Sequence, residues 1–162
     1  AEDPVELLEG WLVLNMPRDV AHDGASDLLD GAVAPLLPAG WFLRSHKAVA
    51  LPDSQPEPDL AVVRGDRRAY LARHPGPADV GLVVEVANTS LDRDRLGKGR
   101  IYARAGVPEY WVVNLTDRVV EVYTAPSGPA DSPAYGRKQE YRPGDRVPLT
   151  LDGRVVGDVA VS

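Results

Sequence analysis

The chain contains no cysteine, so disulfide bonds and thiolate metal sites are both excluded. It also has no apolar run long enough to span a membrane, and no secretory signal is visible at its start. The short motifs of a glycine-rich phosphate loop, a zinc protease or a serine hydrolase are absent as well. These absences lead us to expect a cytoplasmic protein in a reducing compartment, with no membrane partner.

Positive charge is also scarce in this chain. Its 162 residues include 18 lysine and arginine and 24 aspartate and glutamate side chains, which gives a net charge of −6. This balance argues against a broad basic surface for nucleic acid, although it is compatible with a local basic groove. The length predicts a single domain over residues 1–162 with a real hydrophobic core.

What the chain does contain is an informative stretch from residue 81 to residue 102. It opens with a nearly continuous apolar run, which predicts a strand covered on both faces. Glu85 lies in the middle of this run. Burying a lone carboxylate costs on the order of several kcal/mol unless a cation, a proton or strong donors accompany it. Polar residues 88–90 then end the strand and can cap a charged helix that carries Lys98.

The other segments read in the order helix, strands, helix and strands, which predicts an α/β or α+β layer fold. Pro4 suits the first turn of a helix in the acidic segment 1–10, and Pro35 should kink or shorten a helix over 22–37. Strands are expected over residues 11–16, 41–51, 59–63 and the Glu85 segment. A hairpin should join residues 109–114 to 118–124, followed by short strands with turns at 143–144 and 152–153.

Asp59 begins a predicted strand directly after Pro58, which restricts the backbone there. Because side chains alternate along a strand, Asp59 and Glu85 converge if their strands are neighbours with aligned faces. Two such carboxylates suit Mg²⁺ or Mn²⁺, an ion that polarises a phosphodiester and activates water. The plainer alternative is that Asp59 caps a turn and Glu85 pairs with an arginine.

Lys98 lies on the helix that follows the Glu85 strand, with Asp94 and Tyr102 four residues before and after it. That face of the helix could reach back over the end of the strand. An ammonium there would stabilise charge developing on a phosphate or orient the attacking water. The alternative is a solvated surface lysine.

Other titratable residues give weaker signals. Glu6 or Glu9 could add a further carboxylate near the first strand, although a solvated first turn is the simpler interpretation. His22, at the start of a predicted helix, could transfer a proton or support a metal ligand, but a lone histidine more often does neither. His46 and His74 belong to no evident cluster.

The chain resembles the Uma-two family of "putative restriction endonucleases", within the PD-(D/E)XK nuclease superfamily, in four segments: EPDLAVV, LVVEVANTSLDRDRLGK, IYARAGVPEYWVVNL and VEVY. The resemblance covers nearly the whole chain and is most specific from residue 85 to residue 114. It implies a restriction-endonuclease-like fold, with a four- or five-stranded mixed β-sheet flanked by helices and extra β-strands in the C-terminal part.

The same resemblance implies a metal-dependent DNA endonuclease, with Asp59 and Glu85 as ligands of Mg²⁺ or Mn²⁺. The superfamily motif would place a lysine two residues after Glu85, where this chain has Ala87, so the resemblance points to Lys98 on the helix instead. It also matches Glu6 to an acid contributed by the first helix.

Two other functions fit the sequence. The acidic net charge and the missing lysine at residue 87 favour a non-catalytic, nuclease-like binding or assembly protein. Paired carboxylates could also hydrolyse a glycoside without a metal. A homodimer is expected for duplex cleavage, with the aromatic hairpin residues Tyr110, Trp111 and Tyr123 either buried against the partner or packed in the core.

Overall fold

The computed structural model describes residues 5–14, 18–88 and 91–162. Three expectations fall outside these residues: the role of Pro4 in a first helical turn, the end at Met16 of the strand predicted over residues 11–16, and the capping of the Lys98 helix by Thr89 or Ser90.

The described chain forms a six-stranded mixed sheet and two separate two-stranded hairpins. The sheet runs in the order β3-β4-β5-β6-β7-β8, and only β5 and β6 are parallel neighbours. The mixed sheet and the extra C-terminal strands are confirmed, with six strands in the sheet where the family resemblance implied four or five. The strands are β1 (Val5–Leu8), β2 (Trp11–Leu14), β3 (Trp41–Ser45), β4 (Leu60–Arg64), β5 (Val80–Ala87), β6 (Glu109–Asn114), β7 (Val119–Pro126), β8 (Tyr135–Tyr141), β9 (Arg146–Leu151) and β10 (Arg154–Ala160).

Helix α1 (Val20–Val33) begins where the Asp19 carboxylate accepts a hydrogen bond from the His22 backbone N–H at 2.8 Å. It gives way to a 3₁₀ turn, Ala34–Leu36, that contains Pro35, so the predicted shortening at this proline is confirmed. The second helix consists of a π-helical turn, Arg93–Lys98, followed by α2 (Gly99–Arg104). None of the described helices is both long and apolar enough to cross a membrane.

The sheet has a core on each face. On one face, α1 and the β9–β10 hairpin pack against apolar side chains of β4, β5 and β6, among them Leu82, Val84 and Trp111. On the other face, α2 and the segments around Val49 and Val107 cover the alternate side chains of the same strands. This double cover explains why all eight residues of β5 are buried.

Two predicted elements are wrong. Residues Val5–Leu8 form β1 rather than helix, because Glu9 (φ 49°) and Gly10 (φ 84°) make a tight turn that pairs β1 with β2. The strand expected over 41–51 ends at Ser45, because His46 takes a positive φ of 54° that no regular strand accommodates.

The predicted hairpin of β6 and β7 is confirmed, with Glu109 opposite Thr124 and Asn114 opposite Val119. Tyr110 and Trp111 are completely buried inside the chain, which is the core-packing alternative rather than a surface for a partner. These two residues therefore cannot contact a partner subunit, and the expected homodimer stays a prediction.

Candidate active site

Glu85 is buried at 3% exposure on β5, on the sheet face covered by α2. Strands β4 and β5 are antiparallel, with Leu60 opposite Val84. Continued by one residue, this register brings Asp59 opposite Glu85, and the Asp59 Oδ2 accepts a hydrogen bond from the Val86 N–H at 2.7 Å. The two acidic residues that the sequence predicts to converge thus lie opposite each other across neighbouring chain segments.

Lys98 is also buried, with its side chain 4% exposed, so it is not a solvated surface lysine. Its Nζ lies 3.1 Å from Glu85 Oε1 and 3.2 Å from Glu6 Oε1. A third carboxylate oxygen, Asp94 Oδ1, lies 4.0 Å away. Glu85 therefore pairs with a lysine rather than with the arginine of the plainer alternative.

The π-helical turn brings Lys98 to this position. The Gly99 N–H donates to the Asp94 carbonyl five residues earlier, and the Tyr110 hydroxyl donates to the same carbonyl at 2.8 Å. On the following turn, the Tyr102 hydroxyl donates to Glu85 Oε1 at 3.0 Å. Single π-helical turns are frequent at functional sites because they redirect side chains within a helix.

Glu6 reaches the same cluster from β1, where it is 2% exposed. The chain after residue 50 holds β1 in place, since the Gln55 N–H donates to the Leu7 carbonyl at 2.7 Å. The Glu57 N–H donates to Glu6 Oε1 at 3.1 Å. The prediction that Glu6 lies on a helix is wrong, but the structure does bring its carboxylate to Lys98.

Two histidines contact Asp59. His22 Nε2 lies 3.2 Å from Oδ2, and His46 Nδ1 lies 3.5 Å from Oδ1. The expectation that His46 belongs to no cluster is therefore wrong. Its position follows from the pairing of β3 with β4, with Ser45 opposite Leu60, a register that no local sequence pattern reveals. His74 contacts none of these groups in the described residues and only lines a neighbouring groove.

Burial raises the pKa of Glu85 well above its usual value, against the opposing effect of the Lys98 charge. For Lys98, burial alone would lower the pKa, but Glu85 and Glu6 outweigh it and raise the pKa above 10.5. Burial also tends to raise the pKa of Asp59, yet hydrogen bonds from His22 and the Val86 N–H, together with the nearby His46 ring, hold it well below 3.8. Carboxylates thus outnumber cations here, and such a site retains an ammonium and favours further positive charge.

The residues present are compatible with a divalent ion. Mg²⁺ keeps several of its waters and needs only one or two protein carboxylates, which Asp59 and Glu85 can provide. Glu6 Oε2 is buried and accepts no hydrogen bond from the described residues, although Lys98 Nζ is 3.2 Å away. Within residues 5–14, 18–88 and 91–162, no group of three or more His, Asp or Glu side chains is arranged as a metal site, so an ion would depend on two carboxylates and water.

Comparisons with known proteins agree with the sequence resemblance. The family model Uma2, described as "Putative restriction endonuclease", matches residues 1–156. A crystal structure of "a putative nuclease belonging to DUF820" from Anabaena variabilis superposes with a TM-score of 0.67 at 13% identity, over 93% of this chain and 83% of that one. At this identity the likeness concerns the fold. No curated protein matches the chain.

Proposed function

The chain belongs to the Uma2 family, and on that basis we propose that it is a divalent-metal-dependent nuclease that hydrolyses phosphodiester bonds in DNA. The observation that carries this proposal is the cluster of Glu6, Glu85 and Lys98, buried beside Asp59 at the end of two neighbouring strands. An excess of buried carboxylates is unfavourable for stability alone, and a site that must attract a metal ion accounts for it.

Each side chain has a role in this proposal. Asp59 and Glu85 hold Mg²⁺ or Mn²⁺, which when bound polarises the phosphodiester and lowers the pKa of water. The Lys98 ammonium stabilises negative charge on the phosphate or orients the attacking water, with Glu6 as its second carboxylate partner. The Tyr102 hydroxyl orients the Glu85 carboxylate.

The histidines support this arrangement through Asp59. Contacts from His22 and His46 keep the pKa of Asp59 low, so its carboxylate stays ionised and available to a cation. The acid-rich cluster also attracts divalent ions before DNA arrives, which offsets repulsion between the carboxylates and the phosphates. We propose that residues 1–162 form one domain that carries this whole site.

A second candidate is a nuclease-like binding or assembly protein without catalysis. The near-complete burial of Lys98 and Glu85 favours it, because a phosphate cannot contact the ammonium while Glu6 and Glu85 enclose it. In that case the cluster only stabilises the fold. Calorimetric titration with Mg²⁺ separates the two functions: absence of binding at millimolar concentration supports the second.

Cleavage of plasmid and linear DNA in Mg²⁺ or Mn²⁺ tests the nuclease directly. The wild type should cleave, and Glu85→Gln and Lys98→Ala should each lose activity by about 10²-fold or more. Glu140→Gln, an exposed glutamate on β8, is the matched control and should cleave like the wild type. Circular dichroism checks that every variant is folded.

Two results would contradict the nuclease proposal. Equal nicking by the wild type and both site variants would mean a contaminating enzyme. Activity that persists in EDTA would show that the reaction needs no metal ion, and it would favour hydrolysis by paired carboxylates alone.

A further inference from the structure

A groove with a volume of about 930 Å³ opens beside the candidate site. Its walls are β3, the residues directly after β3, the C-terminal end of α1 and the 3₁₀ turn Arg67–Tyr70. It adjoins the site through two residues. His46 lines the groove and contacts Asp59, and Glu57 lines it while its N–H binds Glu6. A polymer bound at the carboxylates could therefore continue into this groove.

The groove is locally basic in an acidic chain. Arg44, Lys47 and Arg67 line it, against the carboxylates of Asp30 and Glu57. Asp30 is already engaged, since its Oδ2 accepts a hydrogen bond from the Ser45 hydroxyl at 2.7 Å. Among the described residues, no carboxylate forms an ion pair with any of the three cations. Their charges are therefore available to an anionic ligand, unlike those of Arg64, Arg100 and Arg146, which pair with carboxylates.

Aromatic rings hold two of the guanidinium groups. Arg44 Cζ lies 5.4 Å from the centre of the Tyr70 ring, and Arg67 Cζ lies 5.9 Å from that of Phe42. The two rings are themselves in contact, with centres 5.9 Å apart. A guanidinium packed against a ring keeps its planar set of N–H donors, the geometry that binds phosphate oxygens in pairs.

Arg44 gives the most specific signal. Its Nε is buried without a hydrogen-bond partner among the residues described, and its Nη2 makes only a 3.5 Å contact with the Ala48 carbonyl. Burial lowers the pKa of this guanidinium, so the charge is poorly compensated in the free protein. A buried donor left unsatisfied costs about 1–3 kcal/mol, which an anionic oxygen in the groove would recover.

We infer that this groove binds the sugar–phosphate backbone of the nucleic acid on one side of the bond to be cleaved, with Arg44, Lys47 and Arg67 contacting successive phosphates. This inference rests on the proposed function and names the surface that holds the substrate. It also resolves the conflict between a DNA substrate and a net charge of −6, because the charge that matters is local. Carboxylates of an acidic protein are the competing ligand, and the experiment below distinguishes them.

The test is the binding of fluorescently labelled single-stranded and duplex oligonucleotides, measured by anisotropy. EDTA is present, so that binding to the groove is measured without metal-dependent cleavage. Lys47→Glu and Arg67→Glu change exposed residues, so both variants should fold normally. Each should lower affinity about tenfold and reduce the slope of log affinity against log salt by about one. Arg154→Glu, the same charge change at an exposed residue of β10 outside the groove, is the matched control and should bind almost like the wild type.

The outcomes keep the two proposals apart. Wild-type cleavage together with unchanged binding by both groove variants would overturn the groove and leave the nuclease intact. Loss of binding in the groove variants without any cleavage would support the groove and count against the nuclease. Polyglutamate is the probe for an acidic protein. If it binds as tightly as the oligonucleotides and is equally sensitive to Lys47→Glu and Arg67→Glu, the groove binds acidic protein and the inference is overturned.

Discussion

Removing the single ammonium from the buried cluster should destabilise the protein far more than removing one of its carboxylates. The perturbations are Lys98→Met and Glu85→Gln, both close in size to the residues they replace. Lys98 Nζ contacts Glu85 and Glu6 at 3.1 and 3.2 Å, whereas Glu85 also accepts a hydrogen bond from Tyr102. The comparison tests whether the site is as rich in acid as the contacts indicate.

The expected magnitudes follow from these contacts. At an effective dielectric constant of about 20, each lysine–glutamate contact corresponds to roughly 5 kcal/mol of attraction. Replacing the ammonium removes two such contacts but also removes the several kcal/mol needed to bury it, so the net loss should be about 3–5 kcal/mol. Glu85→Gln keeps the oxygen that Tyr102 binds and leaves Lys98 paired with Glu6, so its loss should be no more than about 1 kcal/mol.

Urea unfolding in EDTA at neutral pH measures both free energies. The destabilisation in Lys98→Met should shrink as the pH falls, because Glu85, whose pKa is raised by burial, takes up a proton and no longer needs a cation. Lys47→Met, which replaces an exposed lysine, is the control and should lie within about 0.5 kcal/mol of the wild type. A loss in Glu85→Gln equal to that in Lys98→Met would refute the acid-rich site and, with it, the electrostatic argument for a metal.

Two further predictions concern buried carboxylates outside the site. Burial raises the pKa of Glu109 to about 7, against the hydrogen bond that Trp111 Nε1 donates at 2.7 Å. The folded protein thus holds this proton more tightly than the unfolded chain, so stability should fall by roughly 2–3 kcal/mol between about pH 4.5 and pH 7. Glu109→Gln should flatten that fall in urea melts across this range. Glu121 is the reverse case, because hydrogen bonds such as that from Arg95 Nε at 2.7 Å outweigh burial and lower its pKa to about 2. Its contribution is complete above about pH 4.5 and is lost as the pH falls towards 2. Glu121→Gln should therefore cost about 1.5–3 kcal/mol at neutral pH in the same assay and also slow DNA cleavage, since Arg95 anchors the turn that carries Lys98.

The sequence predicts the parts of this site that depend on local patterns. The apolar run around Glu85 is visible because a strand covered on both faces has few polar residues. The spacing of Asp94, Lys98 and Tyr102 indicates one helix face, and the structure places all three near Glu85. The π-helical turn is not predictable from this spacing, because an i→i+4 pattern does not reveal an extra residue in the turn.

The parts that depend on pairing between distant segments are not predictable in the same way. His46 reaches Asp59 only because β3 and β4 pair across a 14-residue connection in one particular register. Glu6 is harder still, because the acidic composition of its segment suits a helix start. The tight turn at Glu9 and Gly10, together with contacts to Gln55 and Glu57, makes the segment a strand.

The absence of a lysine two residues after Glu85 is explained by the packing of β5. Ala87 is completely buried on the same sheet face as Glu85, in the cluster that contains Tyr102 and Tyr110. A lysine at residue 87 would compete for this space with both rings and with the helix that covers them. With alanine there, the helix can pack closely on the sheet, and Lys98 enters from the helix between Glu85 and Glu6. The ammonium thus reaches Glu85 from the helix and not from β5, so Lys98→Ala combined with Ala87→Lys should not restore a normal site.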